Sequence, residues 1–257
     1  MRRLPPEPVP RFAVVSRWLV LTGWFLVVLS VISTRFGGIP PLNALFVLAT
    51  AILLAVLGVA AAVAALVSIW RSGAAGTGIA VRNLVLGLAL LAWPGFLALS
   101  ALRLPVLNDV TTNTEDPPSF ARSRAAVDAR QGRIPPEFDL QKALVVQETY
   151  GDLSTIVVER SPDEAMVLVR QAATSLGWKI IDSINPAGRT GIGRIDAVAT
   201  SFLFRFPDDI TIRIRPGAGD VRIDLRSASR FGRHDFGNNA NHIRSFVREI
   251  ETLSTAR

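Results

Sequence analysis

The side chains that could perform acid–base chemistry or bind a metal ion are few, and they lie in the C-terminal part of the sequence. Asp208 and Asp209 are adjacent, and His234 and His242 are the only histidines. Two carboxylates can act as general acid and base or hold a metal ion together, but neighbouring residues of a strand point to opposite faces. His234 precedes Asp235, yet no Gly-x-Ser-x-Gly nucleophile motif accompanies the pair. We therefore predict no catalytic residue, no metal site and no cofactor, with a hydrolase that uses these groups as an alternative.

Four arginines alternate with apolar residues along two predicted strands: Arg213, Arg215, Arg222 and Arg226. The apolar residues must share one face of the sheet, so the four guanidinium groups should share the other. Because a guanidinium group binds phosphate and carboxylate in a forked geometry, we predict a docking surface for an anionic partner. A lipid phosphate, an acidic glycan and an acidic protein patch all fit. The alternative is a solvated sheet face on which Asp224 offsets part of the charge.

A second cluster of unusual residues lies between the last predicted strand and the last predicted helix. It consists of Arg230, Gly232, Arg233, Asp235, Gly237 and Asn239. Glycines before a helix can present backbone N–H groups to an anion, and arginines nearby would strengthen such a site. A sharp turn and a helix cap require the same residue types, with Asp235 or Asn238 as the cap. We favour the turn and cap and keep the anion site as the alternative.

These residues belong to a compact domain that we predict over 151–257. Its elements should run in the order strand, helix, four strands, helix. The last two strands, at 210–215 and 221–226, should form a hairpin through the turn at 217–220. The alternation predicts a register that pairs Ile214 with Ile223, Ile212 with Leu225, Arg213 with Asp224 and Arg215 with Arg222. An α+β fold follows, a two-layer sandwich of an antiparallel sheet with helices on one face.

The first helix of this domain has the clearest boundary signals in the sequence. Ser161 is predicted as the N-cap, Pro162 as the first helical residue and Glu164 as the partner that completes a capping box. Gly177 supplies the left-handed residue that ends the helix. A second helix is predicted from about 239 to 253.

Two further segments are ambiguous. Residues 103–150 are rich in turn-forming residues and are predicted as an extended linker, or as a wrap across the following domain. Phe202, Phe204 and Phe206 are predicted to share one side of a strand and to face the core. A pocket wall or a membrane-facing edge is the alternative for these rings.

Residues 18–102 contain three apolar segments, which we predict as transmembrane helices. The uncharged segments are 18–34, 39–70 and 83–102, and about 20 residues suffice to cross a bilayer. A cleaved signal peptide is the alternative for the first segment, but no small-residue cleavage site follows it.

The distribution of arginines predicts the orientation of these helices. Arg2, Arg3, Arg11 and Arg17 precede the first span and Arg71 and Arg82 flank the second loop, whereas the first loop has Arg35 alone. The positive-inside rule then places the N-terminal segment 1–17 and the second loop in the cytoplasm. Three spans place the C-terminal domain in the periplasm of a bacterium, attached to the inner (plasma) membrane.

The basic character of the chain is confined to the apolar part. Residues 1–102 hold seven arginines and one acid, whereas 103–257 hold 21 basic and 20 acidic side chains. A nearly neutral domain argues against nucleic acid as a partner. The sequence has no cysteine, which excludes disulfides, thiolate metal sites and a cysteine nucleophile.

Several motifs resemble a known family. They are FPDDITIRIR at 206–215, SASRFGRHDFGNNA at 227–240 followed by Ile243-Arg244, NDVTT at 108–112 and DPP at 116–118. Together they resemble the domain of unknown function 1499 family, which occurs in bacteria and plastids, often behind membrane spans. The resemblance covers about 106–253. It implies the extent of the domain, and it implies no activity or catalytic residue.

Taken together, these features predict a non-catalytic integral membrane protein whose periplasmic domain binds or braces a partner. We expect an accessory subunit of a membrane protein complex, with another membrane or periplasmic protein as the partner. Anionic lipid or glycan is a further candidate ligand. A lipid- or glycan-binding envelope module is the first alternative and an envelope hydrolase the second.

Overall fold

The computed structural model describes residues 9–37, 39–187 and 190–255. The chain divides into two compact units. The first comprises Met1–Ser100 and Phe202–Arg205, and the second comprises Ala101–Ser201 and Phe206–Arg257. The N-terminal residues Arg2, Arg3 and Glu7, on which part of the charge comparison depends, lie outside the described residues.

Three long helices come first along the chain: α1 (Arg11–Arg35), α2 (Pro41–Ser72) and α3 (Thr77–Arg103). They contain 25, 32 and 27 residues, and each is long and apolar enough to cross a membrane. A helix pairs its backbone polar groups within itself, which a lipid environment requires. The prediction of three candidate transmembrane helices is confirmed.

Small residues allow α1 and α2 to pack closely. A Cβ atom added at Gly58 of α2 would lie 2.6 Å from Val20 Cγ2 of α1, and one added at Gly87 of α3 would lie 2.6 Å from Val59 Cγ2. Several alanines of α2 are fully buried as well, including Ala55. Without a hydrophobic driving force between helices in lipid, close van der Waals packing of this kind holds them together.

Three hydrogen bonds also join α1 to α3. Buried Asn83 donates through Nδ2 to Ser16 Oγ, at 2.8 Å, and to the Ala13 carbonyl, at 3.2 Å. The Trp24 indole N–H donates to the Leu86 carbonyl at 3.0 Å. Polar groups in an apolar surrounding need such partners.

The second unit is built on one antiparallel sheet with strands β1 (Asp109–Thr111), β2 (Ile156–Val158), β3 (Lys179–Ile184), β4 (Gly193–Thr200), β5 (Pro207–Pro216) and β6 (Val221–Ser229). The spatial order is β1-β6-β5-β4-β3. Strand β2 also pairs with β6, beside its first residues, whereas β1 lies beside its last residues. The two short strands therefore pair with different parts of the same edge of β6.

The predicted hairpin register is confirmed at each of its four pairs: Ile214 with Ile223, Ile212 with Leu225, Arg213 with Asp224 and Arg215 with Arg222. The alternation of apolar and polar residues was sufficient to predict the register. A shift by one residue would place the apolar side chains of the two strands on opposite faces of the sheet. Three isoleucines of β5 are fully buried on the core side as a result: Ile210, Ile212 and Ile214.

Four α-helices and one short 3-10 helix (Leu140–Lys142) are described in the second unit. The α-helices are α4 (Arg124–Ala129), α5 (Ala143–Thr149), α6 (Pro162–Ser175) and α7 (Asn238–Thr255). Helices α6 and α7 pack against each other and against the sheet. Their buried residues, such as Val169 and Phe246, join the core that the isoleucines of β5 form. The α+β fold with an antiparallel sheet is confirmed.

Helix α6 begins and ends as predicted. Ser161 Oγ accepts a hydrogen bond from the Glu164 backbone N–H, and the Glu164 carboxylate accepts one from the Ser161 N–H, which is a capping box. At the other end Gly177 has φ 72°. Its N–H donates to the Thr174 carbonyl and the Trp178 N–H donates to the Ala173 carbonyl, the two bonds of a Schellman motif.

The segment predicted as a linker or wrap, 103–150, lies in the second unit and contains β1, α4 and α5. It also contributes apolar side chains to the core of the sheet, namely Leu107, Val110, Phe138, Val146 and Tyr150. Residues 112–142 of this segment, which we call the wrap, supply the partners of several charged residues described below.

The prediction that Phe202 faces the core from a strand is wrong. Strand β4 ends at Thr200 and β5 begins at Pro207, so the residues between them form the connecting turn. The Phe202 side chain is 79% exposed. Apolar residues at alternate positions are typical of a strand, but here they belong to a turn.

Candidate functional site

Asp208 and Asp209 point to opposite faces of the sheet, as their adjacency on β5 predicts. On the helix-covered face, Asp208 Oδ2 accepts a hydrogen bond from Asn238 Nδ2 at 2.7 Å and lies 3.1 Å from His242 Nε2. Trp178 packs edge-on against the His242 ring, with centroids 6.0 Å apart. The carboxylate–imidazole pair could move a proton, and it also fastens α7 to the start of β5.

Asp209, on the other face, is held by two arginines. The Arg230 guanidinium donates to both carboxylate oxygens, at 2.8 and 3.0 Å. Arg130 Nε donates to Oδ1 at 3.1 Å. All three side chains are buried. Asp209 is thus a structural acceptor, with both of its oxygens already occupied by groups of the same chain.

Arg130 follows the last residue of α4 and reaches a second buried acid, Asp196 of β4. Its Nη2 donates to Asp196 Oδ1 at 2.7 Å, and its Nη1 donates to the Ala121 carbonyl at 2.8 Å. The Ala121 N–H donates to the same carboxylate. Burial raises the pKa of Asp196, against the opposing effect of these hydrogen bonds.

Neither Arg130 nor Asp196 is among the site residues that the sequence predicts. The available signal was Asp196 itself, a charged residue in a strand whose neighbours are largely apolar. A buried acid in such a position requires a cationic partner, but nothing local indicates that the partner lies in the wrap.

Arg226 of β6 is only 2% exposed and makes several contacts at once. Its guanidinium donates in a fork to Asp109, at 2.6 and 3.0 Å, and to two backbone carbonyl groups of the wrap. It lies 4.8 Å from the ring centroid of Phe120 and 5.5 Å from that of Phe138. Burial raises the pKa of Asp109, and the bond from Arg226 opposes that effect. Arg226 therefore holds the wrap against the sheet.

The expectation of an open arginine surface requires correction. Arg213 and Arg215 lie on the predicted face, but both approach Asp224 Oδ2, at 2.9 and 2.7 Å. Both also contact Asp116 of the wrap, at 3.0 and 3.1 Å. Arg222, by contrast, is exposed. Because the wrap covers this face, the binding of an anionic partner stays a prediction. Of the four arginines, Arg222 is the one exposed enough to bind such a partner.

The glycine-rich cluster has the geometry of a turn followed by a helix cap. Gly232 and Gly237 both have φ 81°. Asp235 accepts hydrogen bonds from the Gly237 and Asn239 N–H groups, at 3.0 and 2.9 Å. The Asn239 side chain is fully buried and accepts a hydrogen bond from Ser227. The two arginines differ: Arg230 is bound to Asp209 and Arg233 is exposed. Asp235 therefore occupies the amide of Gly237, just before α7, and those of Asn238 and Asn239 at its start.

The two histidines have different partners. His234 Nε2 lies 3.2 Å from the Leu104 carbonyl and its ring stacks on Phe236, whereas His242 pairs with Asp208. Within the described parts of the chain, no three His, Asp or Glu side chains are grouped so that they could hold a metal ion.

Tyr150 and its neighbours form a smaller cluster at the end of α5. The Tyr150 hydroxyl is buried and has no hydrogen-bond partner among the described residues. Burial, with the nearby charge of Asp235, raises its pKa. Arg244 lies over the ring and donates in a fork to Asp152, at 2.6 and 2.9 Å. These bonds lower the pKa of Asp152.

A cleft of about 270 Å³ opens within the wrap. Its lining combines aromatic and aliphatic residues with exposed charges, including Glu115, Phe120, Arg122, Glu137, Phe138 and Leu140. Leu140 is 65% exposed and Leu144, in α5, is 69% exposed. The cleft therefore joins the exposed Leu140 to a charged rim, a combination that suits a protein ligand.

Comparison with models of known protein families gives a match. The model of a family described as a protein of unknown function, DUF1499, matches residues 109–250. No curated protein and no solved structure matches the chain.

Proposed function

We propose that this chain, which belongs to the DUF1499 family of proteins of unknown function, is a membrane-anchored accessory protein whose second unit binds a partner protein. The observation that carries the proposal is the cleft of the wrap together with two exposed leucines, Leu140 in its lining and Leu144 four residues later. Exposed apolar side chains next to a preformed cleft are typical of protein-binding surfaces.

Buried interactions fasten the wrap, which forms the cleft, to the sheet. Arg226 binds Asp109 and two wrap carbonyl groups, and Arg130 binds Asp196. A surface that is already ordered loses little conformational entropy on binding. The partner segment that fits this lining carries an apolar side chain for Leu140 beside a basic one for Glu115 or Glu137.

The groups suited to catalysis are engaged in holding the fold together. Asp209 is bound to two arginines, Asp208 to Asn238 and His242, and Asp235 to the first amides of α7. This use supports a binding role over hydrolysis.

We further infer that the second unit faces the periplasm of a bacterium from the inner membrane. The loop between α2 and α3 is flanked by Arg71 and Arg82, whereas the preceding loop follows Arg35 alone. This asymmetry supports a cytoplasmic location for the former loop. An odd number of spans then directs the chain after α3 to the opposite side.

The test is co-purification of the tagged full-length chain from its host membranes in mild detergent. We expect a partner to co-purify with the natural chain and to be lost from the L140S/L144S double variant. Val167→Ser, a substitution at an exposed valine of α6, serves as the matched control and should retain the partner. Migration of the natural chain as a free monomer that crosslinks to nothing would refute the proposal, and so would retention of the partner by the double variant.

A further inference from the structure

The turn between β4 and β5 exposes apolar side chains at its tip. The Ser201 N–H donates to the Phe206 carbonyl at 2.9 Å, and the Phe206 N–H donates to Ser201 Oγ at 2.9 Å. These bonds close a loop in which Phe202 is 79% and Leu203 42% exposed. Arg205 adopts φ 52°, a left-handed conformation that lets the chain reverse. The loop is thus a closed turn with an aromatic tip.

The tip, Phe202–Arg205, belongs to the first compact unit, which also contains the apolar helices. Arg35, the last residue of α1, donates through Nη1 to the Phe202 carbonyl at 2.6 Å. The Arg35 guanidinium also lies 5.0 Å from the centroid of the Phe202 ring. An arginine that ends a transmembrane helix lies at the level of the lipid headgroups. Through its contact with Arg35, Phe202 would share that level where α1 crosses a membrane.

We propose that the tip Phe202–Arg205 inserts into the lipid–water interface of the membrane that α1 crosses. Aromatic side chains concentrate at this depth, where the ring meets the acyl chains and the neighbouring groups stay hydrated. Leu203 adds apolar area, and the exposed Arg205 is available to lipid phosphates. Lipid explains the exposure of a phenylalanine and a leucine that water would disfavour.

The tip gives the chain a membrane contact in addition to its helices. Its lipid partner is independent of the protein partner proposed for the cleft, since the two surfaces share no residue.

The absence of cysteine from the sequence makes the test direct. The full-length Leu203→Cys variant is labelled with an environment-sensitive fluorophore and reconstituted into vesicles of phosphatidylethanolamine and phosphatidylglycerol. Ala218→Cys, at the exposed β5–β6 turn, is the matched control. We expect lipids that carry a spin label near the headgroup to quench the label at 203 about threefold more strongly than the label at 218. Iodide in the aqueous phase should show the reverse preference.

Equal quenching of the two labels by lipid would overturn the proposal. Shielding of position 203 from both lipid and iodide would overturn it as well, because that result indicates cover by protein. Thermal unfolding of both labelled variants, compared with the natural chain, establishes that each is folded. Loss of the co-purifying partner in the L140S/L144S variant tests the cleft separately and leaves this result unchanged.

Discussion

Arg226 illustrates how buried charged side chains stabilise the second unit. Its guanidinium joins a carboxylate of β1, two phenylalanine rings and two carbonyl groups of the wrap. A buried charge of this kind is stabilising only while its partners are in place, because an unpaired charge in a dry interior is costly. The alternating sequence predicted which face Arg226 occupies and did not predict that the face is covered.

Replacement of this arginine should destabilise the domain strongly. We expect Arg226→Gln to lower the free energy of unfolding by about 3–5 kcal/mol, since Asp109 would lose its buried cationic partner. Arg222→Gln, on the same strand but exposed, should change it by no more than about 0.5 kcal/mol. Urea unfolding of the full-length variants in detergent, followed by near-ultraviolet circular dichroism, gives both values. Equal effects would show that Arg226 does not hold the wrap.

The Asp152–Arg244 pair should make a measurable part of the stability depend on pH. The pKa of Asp152 is lowered in the folded state by the bonds from Arg244. Its contribution is therefore present above the ordinary aspartate pKa of about 4 and is lost as the pH falls through the lowered folded value. We expect the difference in melting temperature between the natural chain and Asp152→Asn to be full at neutral pH and to vanish in strong acid.

The comparison with Asp152→Asn is necessary because other acids act in the opposite direction. Burial raises the pKa of Asp109 and of Asp196, so their contributions are present at low pH and decline as the pH rises through the folded values. The melting temperature of the natural chain alone would mix both effects. A difference that persists unchanged in strong acid would contradict the assignment to Asp152.

At the scale of elements, the features that the sequence predicted best are those with local causes. The capping box of α6 needs residues three positions apart, and the β5–β6 register needs one turn and two alternating strands. The cover of the arginine face depends instead on contacts between β6 and the wrap, about 90 to 120 residues apart in sequence. The Phe202 turn was missed for another reason, since alternation of apolar residues also occurs outside strands.

The start of α6 should respond to the capping residue alone. Ser161→Ala should destabilise the second unit by about 1 kcal/mol, because the Glu164 N–H would lose its acceptor. Ser161→Asp provides another acceptor and should restore most of the loss. Urea unfolding of the full-length chain measures both. A similar loss in the two variants would mean that packing, and not the cap, is responsible.

The contact between α1 and α2 should be sensitive to one added methyl group. In Gly58→Ala the new Cβ would lie 2.6 Å from Val20 Cγ2, and we expect a cost of about 1–3 kcal/mol from overpacking. Gly95→Ala in α3 meets nothing within 4 Å and should be neutral. The temperature at which each full-length variant aggregates in detergent compares them. An unchanged temperature for Gly58→Ala would show that the contact between α1 and α2 accommodates the added methyl group without cost.

At the scale of the whole molecule, the orientation of the chain in its membrane is open to a direct measurement. We expect a membrane-impermeant maleimide to label Ala218→Cys in cells whose outer membrane has been made permeable. Ser72→Cys, at the end of α2, should react only after the inner membrane is broken, because the arginines beside it favour the cytoplasm. The natural chain has no cysteine and provides the blank. Labelling in the reverse order would invert the proposed topology.

The position of β6 also determines when the second unit can fold. This strand pairs with β1, β2 and β5, yet it is the last strand along the chain. Asp109 pairs with Ala228, so about 120 residues must be synthesised after β1 before its neighbour exists, a delay on the order of ten seconds at ordinary rates of translation. Until then β1 and the wrap lack the strand against which they pack, although they have already left the ribosome. A nascent chain truncated before residue 221 should therefore expose the wrap to proteases and chaperones, whereas release of the complete chain allows it to close.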